Sequence, residues 1–291
     1  MFYTQVTKPK LIMAILDEDG FLRGKKGDSV FRKVNEKTVV SQLPTEYKQA
    51  DKSKATAFEF GLASHTARTI RLPLGMYYLG LDGGLGNRLN TAVRIALTLS
   101  PHAESGRRDI HDAELSPLEG LQFNQHAPLN KLLKVRPRIT VQDNFTLNVA
   151  LPAFSTKKDL AYPKSGFHIG CTLTIVQYAF DFRREFYIQL ASRQTEITHP
   201  YFEGFDWTFD EYLPPGSVAL AFMSLQYHIQ NATTERKTLN IREFSPAELI
   251  AAYHIPGLPG SLEQTWQDNY LPLEGYRGNE MLRNIDPRWA W

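Results

Sequence analysis

The sequence predicts an α+β protein: an N-terminal β-hairpin and two helices, then a mainly antiparallel β-sandwich with an irregular C-terminal arm. Three observations carry this prediction. Sustained helical spacing of apolar residues is confined to the stretch from about residue 55 to about residue 99. From about residue 138 the pattern changes to period-two alternation, in runs punctuated by Gly, Pro and Asn. Residues 256–291 interleave Pro256, Pro259, Pro272 and Pro287 with Gly257, Gly260, Gly275 and Gly278, so no long element fits there.

Taken in order, Leu11 to Leu16 is a short apolar run stopped by the turn-forming Asp17-Glu18-Asp19-Gly20. Ser29 to Val34 and Thr38 to Ser41 are β-prone runs on either side of Asn35-Glu36-Lys37, a hairpin pattern. Gly24 and Gly27 ahead of it imply a bend. A helix over 55–70 places Phe58, Leu62, Ala63, Thr66, Ala67 and Ile70 on one stripe, and Pro73 closes it. A second helix, from about Asn87 to Leu99, buries Leu89, Val93, Ala96 and Leu97, with Asn87 as its N-cap. Residues 100–130 read as a long polar connection and hence as a domain boundary.

Strands follow at 138–141, 145–151, 172–182, 186–191, 218–229 and 238–241. The 218–229 run is apolar on both parities, which predicts a strand covered on both faces. Ser245-Pro246-Ala247-Glu248 reads as a capping box that opens a helix reaching Tyr253. The expected organisation is a hairpin-plus-helices module over 1–105, a β-sandwich over 130–255 and an extended arm over 256–291.

Hydrophobic residues make up 42% of the chain, enough for a buried core. The formal net charge of +2 points away from a dedicated nucleic-acid binder, and the nine lysines in 8–54 are diluted by neighbouring carboxylates. The charge is unevenly placed: residues 1–140 carry 21 Lys+Arg against 14 Asp+Glu, and 141–291 carry 12 against 17. A basic first half and an acidic second half suit head-to-tail association of copies. The one cysteine, Cys171, excludes an internal disulfide and sits in an apolar run that makes it a buried, inert thiol. The first ten residues lack a secretory pattern, and no apolar run has the length of a membrane span. The expected location is the cytoplasm, or outside the cell by a route without a cleavable signal.

The search for chemistry finds no complete constellation, and so no catalytic residue, metal or cofactor is assigned. The eight histidines form no tight ligand pair. Residues 107–114 offer His111 beside carboxylates but no second histidine at ligand spacing, which favours a solvated loop. No nucleophile elbow and no phosphate-cradling Walker loop occur. Gly83-Gly84-Leu85-Gly86-Asn87-Arg88 is a glycine turn entering a helix, whose Gly83, Gly84, Gly86, Asn87 and Arg88 could face an anion. With Leu89 these residues resemble the nucleotide-sugar loop of some fucosyltransferases. That resemblance implies a glycosyltransferase or carbohydrate-binding reading, but the second His-x-Arg-x-Gly-Asp motif of those enzymes is missing.

Residues 199–212 pack six aromatic rings and four carboxylates into one segment, including Tyr201, Phe202, Phe205 and Trp207. Such a segment caps a core, meets a protein partner or stacks on a sugar. Three of the four tryptophans, Trp266, Trp289 and Trp291, lie in the arm, where their indoles call for burial on the fold or on a neighbour.

Residues 24–44, from Gly24-Lys25-Lys26-Gly27 through Val30-Phe31 to Leu43-Pro44, resemble the opening of a group of uncharacterised bacterial proteins. The likeness continues through Phe60-Gly61-Leu62-Ala63-Ser64 and Asn87-Arg88-Leu89 to about residue 97. It implies a family module and no activity. Together these readings lead to the expectation of a non-catalytic structural protein. It would associate with copies of itself, or with other proteins, through Tyr201, Phe202, Phe205, Trp207, Trp266, Trp289 and Trp291.

Overall fold

A computed structural model describes residues 14–42, 50–78, 80–101, 106, 108–164, 168–230, 236–257 and 270–285. The chain divides into two compact units, 1–51 and 52–291. The described part of the first is a four-stranded antiparallel meander of β1 (Ala14–Leu16), β2 (Leu22–Lys26), β3 (Ser29–Val34) and β4 (Lys37–Gln42), in that order. The expected hairpin is β3–β4. Its turn has two residues rather than three, because Lys37 pairs with Val34. Asn35 and Glu36 turn with φ 47° and 59°, the left-handed backbone that lets a two-residue turn follow the strand twist.

The second unit begins its described structure with α1 (Asp51–Leu74) and α2 (Leu85–Thr98). Pro73 lies inside the last turn of α1. The N-cap of α2 is Gly84, not Asn87, and no side chain caps it. Then come the one-turn α3 (Leu129–Leu132), β5 (Arg138–Val141), β6 (Leu147–Leu151), β7 (Phe154–Ser155) and the one-turn α4 (Thr156–Asp159). Two long strands, β8 (Ile169–Asp181) and β12 (Val218–Gln230), lie side by side at the centre, paired from Ile169↔Ile229 to Phe180↔Val218. Between them in sequence run β9 (Phe186–Glu196), β10 (Tyr201–Phe202) and β11 (Phe205–Phe209). After β12 come β13 (Arg236–Thr238), β14 (Ala247–His254), β15 (Leu271–Pro272) and α5 (Gly278–Ile285). The main sheet runs β13-β12-β8-β9-β15, with β14 also on β12; β11-β6-β5 form a smaller sheet and β10-β7 a two-stranded one.

Period-two alternation sorts the core. Even positions of the central strands, Val176, Phe180, Leu220 and Phe222 among them, share one apolar cluster with Leu62 of α1 and Leu89 of α2. Odd positions, such as Leu173, Ile175, Met223 and Leu225, share another with Leu147 and Val149 of the small sheet. Helices therefore cover one face of the main sheet and strands the other. The two-sided burial predicted for 218–229 follows from this layering, and Cys171 is fully buried in the second cluster. The structure thus joins α1 and α2 to the sheet, whereas their sequence assigned them to a 1–105 module.

Three other readings are corrected. The polar connection at 100–130 contains two short 3-10 turns and deeply buried apolar side chains, Ile110, Leu118 and Phe123. Its backbone also lines β14, with Leu249 N–H donating to the Leu121 carbonyl at 3.0 Å and Phe123 N–H to that of Ala247 at 2.7 Å. The segment after the capping-box pattern is not a helix but β14. It is hydrogen-bonded on both edges and buried on both faces, with Leu249 in one cluster and Ile250 in the other. A helix there would bury a single stripe and expose the rest. Finally, the arm contains α5, whose Leu282 enters the helix-side cluster; Trp266, Trp289 and Trp291 lie outside the described residues. Among the described residues no helix is long and apolar enough to cross a membrane.

Candidate interaction surfaces

The glycine turn before α2 already holds an anion, and that anion is Asp82. Its Oδ1 accepts the Gly84 N–H at 2.8 Å, while Oδ2 accepts the Gln125 N–H at 2.9 Å and an Arg88 guanidinium N–H at 2.8 Å. Desolvation alone would raise this carboxyl, but the hydrogen bonds and the cation outweigh it and bring its pKa down to about 2. Arg88 also donates to the Gln122 carbonyl at 3.0 Å. Of the residues singled out for anion binding, Gly84 and Arg88 are thus committed to Asp82. An aspartate immediately ahead of a Gly-Gly pair is the sequence signal for this arrangement, because a short carboxylate caps the backbone two residues on, here at Gly84.

Residues 108–114, read as a solvated loop, form a packed polar lock at the β8–β9 turn. Arg183 reaches Asp109 and Asp112, each at 2.9 Å, and the buried Asp109 also caps the His111 N–H. His111 Nε2 accepts the Phe182 N–H at 3.0 Å. Asn279 of α5 donates to the carbonyls of Phe182, at 2.9 Å, and Arg183, at 2.8 Å. Burial pushes the His111 imidazole below its usual range, more strongly than Asp109 and Asp181 pull it up. Unfolded chain therefore binds a proton that the folded chain rejects once the pH falls below about 6.5, the ordinary histidine value. Stability contributed by neutral His111 is fully present above that pH and is lost as the pH drops further. The expected slope is up to about 1.4 kcal/mol per pH unit, and urea midpoints of the wild type and His111→Gln from pH 7.5 to 5.5 check it. A parallel decline in both proteins would refute the assignment.

A second polar cluster ties the edge strand β13 to the sheet. His228 Nε2 lies 3.1 Å from Glu196, and Arg236 approaches His228 Nδ1 at 3.1 Å while also pairing with Glu196 and donating to Thr172 Oγ1 at 2.6 Å. Because the guanidinium only donates, Nδ1 accepts and the ring proton sits on Nε2, facing the carboxylate. The imidazole rests over Gly170, where a Cβ would collide with it. A small cleft of about 190 Å³ nearby is lined by Tyr162, His168 and His199, and His199 Nδ1 is bonded to Thr156 Oγ1 at 2.8 Å. Thr156 and His199 form a hydroxyl–imidazole pair, but Thr156 is fully buried, so its hydroxyl is closed to a substrate. Cys171 is enclosed, and burial pushes its thiol far above the ordinary range. Among the described residues no group of three or more His, Cys, Asp or Glu could hold a metal ion.

The aromatic segment is divided by strand alternation. Phe202 is buried, and Phe205 and Trp207 stack with centroids 3.9 Å apart, half-buried against the small-sheet core. Tyr201 and Tyr212 are each 53% exposed. The alternate positions Asp206, Thr208 and Asp210 point outward. Most of the rings therefore belong to the fold, and the surface receives two tyrosines and the carboxylates.

One open apolar groove went unrecognised in the sequence. It spans about 850 Å³ between the N-terminal half of α1 and the C-terminal half of α2. Phe60, Ile95 and Leu99 line it while remaining 56%, 45% and 55% exposed. Thr56 and Thr98, also in the lining, donate their hydroxyls to the carbonyls of Lys52 and Arg94, each at 2.9 Å, which leaves their methyl groups for the groove. Arg94 and Lys52 stand at its rim. These positions look like ordinary solvent-face residues in the helical pattern; only the pairing of α1 with α2 makes them one surface. No protein-family model, curated protein or solved structure matches this chain.

Proposed function

We propose that this chain is a non-catalytic structural protein that assembles with copies of itself. The observation that carries the reading is the open α1/α2 groove. Three large apolar side chains stay wet there, over a volume in the range of ordinary binding sites, on a chain with a full core elsewhere. Contiguous exposed apolar surface of this kind marks association. The uneven charge of the two halves supports association between copies.

Sedimentation velocity of the full-length chain over a concentration series tests this. Oligomers that grow with concentration are expected. Phe60→Asp, at an exposed position, should weaken self-association about 10- to 100-fold, since burying a Phe side chain is worth about 2 kcal/mol. A wild-type chain that stays monomeric throughout would remove the proposal.

A further inference from the structure

We propose that the cationic face of the β1–β4 meander docks on the acidic outer side of β11 in a second copy of the chain. The inference rests on the self-association reading and adds a second contact to that of the α1/α2 groove.

Strand register defines the cationic face. Ile15 lies opposite Arg23, Lys25 opposite Val30, Arg32 opposite Val39 and Val34 opposite Lys37. Directly opposed side chains share a face, and alternate residues along a strand do so too. Arg23, Lys25, Arg32 and Lys37 therefore project from one side of the meander, and all four are exposed. The carboxylates of this region, Asp17, Glu18, Asp19, Asp28 and Glu36, sit in the turns instead. Among the described residues, Asp17 pairs with Arg23 at 2.7 Å, and no ion pair reaches Lys25, Arg32 or Lys37. Between the cations, Ile15, Val34 and Val39 are 66%, 49% and 45% exposed. Like charges on one small sheet repel, and β-branched side chains among them stay wet, so an acidic, partly apolar partner relieves both costs.

Such a surface exists on the same chain. Asp206, Thr208 and Asp210 are exposed at alternate positions at and just beyond β11, roughly 7 Å apart along the chain, the same repeat that separates Arg23 from Lys25. Glu203 and the half-exposed Tyr201 and Tyr212 flank them. Asp210 has Arg193 at 4.0 Å, but its side chain is 77% exposed, and a pair that open is weak enough to be exchanged. Because the two surfaces differ, one contact leaves a meander free on one copy and a β11 face free on the other, and these either meet reciprocally in a two-fold dimer or carry the contact on to further copies.

Sedimentation of full-length protein in about 50 mM and about 500 mM NaCl tests the contact, using two charge-reversed chains. One carries Arg32→Glu and Lys37→Glu; the other carries Asp206→Lys and Asp210→Lys. The wild type should associate at least about tenfold more strongly at low salt than at high salt. Each variant alone should associate at least about tenfold more weakly, because its two surfaces then bear the same sign. An equimolar mixture should assemble again, since every interface between unlike variants pairs opposite charges, and this recovery excludes misfolding as the cause. Variants that assemble like the wild type, or a mixture that stays dissociated while the wild type assembles, overturn the docking but leave self-association standing. A monomeric wild type removes both readings. A monomeric wild type that binds a short DNA duplex through Arg32 and Lys37 reassigns the cationic face to nucleic acid.

Discussion

Phe123→Ala is expected to cost about 3–5 kcal/mol of stability, the range for truncating a fully buried Phe. Its ring is 1% exposed and meets Phe222 edge-on with centroids 4.8 Å apart, and Tyr78 packs on it at 5.1 Å. The backbone N–H of Phe123 also extends the pairing of β14. Urea unfolding at neutral pH measures the effect. A loss below about 1 kcal/mol would mean that residues 100–130 form the solvated connection their composition resembles, because a linker residue has no core to vacate. Exposed Leu72, 54% accessible on α1, is the control and should tolerate Ala with a change within about 0.5 kcal/mol.

The second large effect is expected from Arg183→Met, again about 3–5 kcal/mol, the usual cost of removing one partner from a buried ion pair. The Asp109 carboxylate is 6% exposed and would lose this compensating cation. Arg183 itself is 21% exposed, so little solvent screening reduces the figure. The double change Arg183→Met with Asp109→Leu should recover part of the loss, because the orphaned charge is then gone. Arg193→Met, at the exposed pair with Asp210 and Glu211, should change stability by less than about 1 kcal/mol. Equal effects at the two arginines would show that the lock around 108–114 is not formed in solution.

Both sites illustrate why part of this protein was hidden in its sequence. Residues 107–114 carry five charged side chains and a histidine, a composition that ordinarily faces water. What reverses the expectation is Arg183, more than seventy residues away, whose guanidinium supplies the compensating charge. The Gly83–Arg88 turn was visible as an anion cradle from its glycines, and its occupant was one residue upstream. The α1/α2 groove could not be read at all, since no one helix contains it.

The alternation in β8 and β12 and the stripe through α1 and α2 were determined by the sequence alone. A β-prone run apolar on both parities is satisfied by a strand covered on both faces, and that requirement implies the layers on either side. The hairpin at 29–42 was equally legible, because Asn35 tolerates the left-handed turn that joins two β-prone runs. The tertiary structure decided the rest. Ser245 to Glu248 carries a local helix signal worth about 1 kcal/mol. Burial of Ala247, Leu249, Ile250 and Ala251 between two apolar clusters, with backbone pairing on both edges, exceeds it. Local signals count only neighbours in sequence, whereas β14 and the polar lock are stabilised by groups that approach only when the chain has folded.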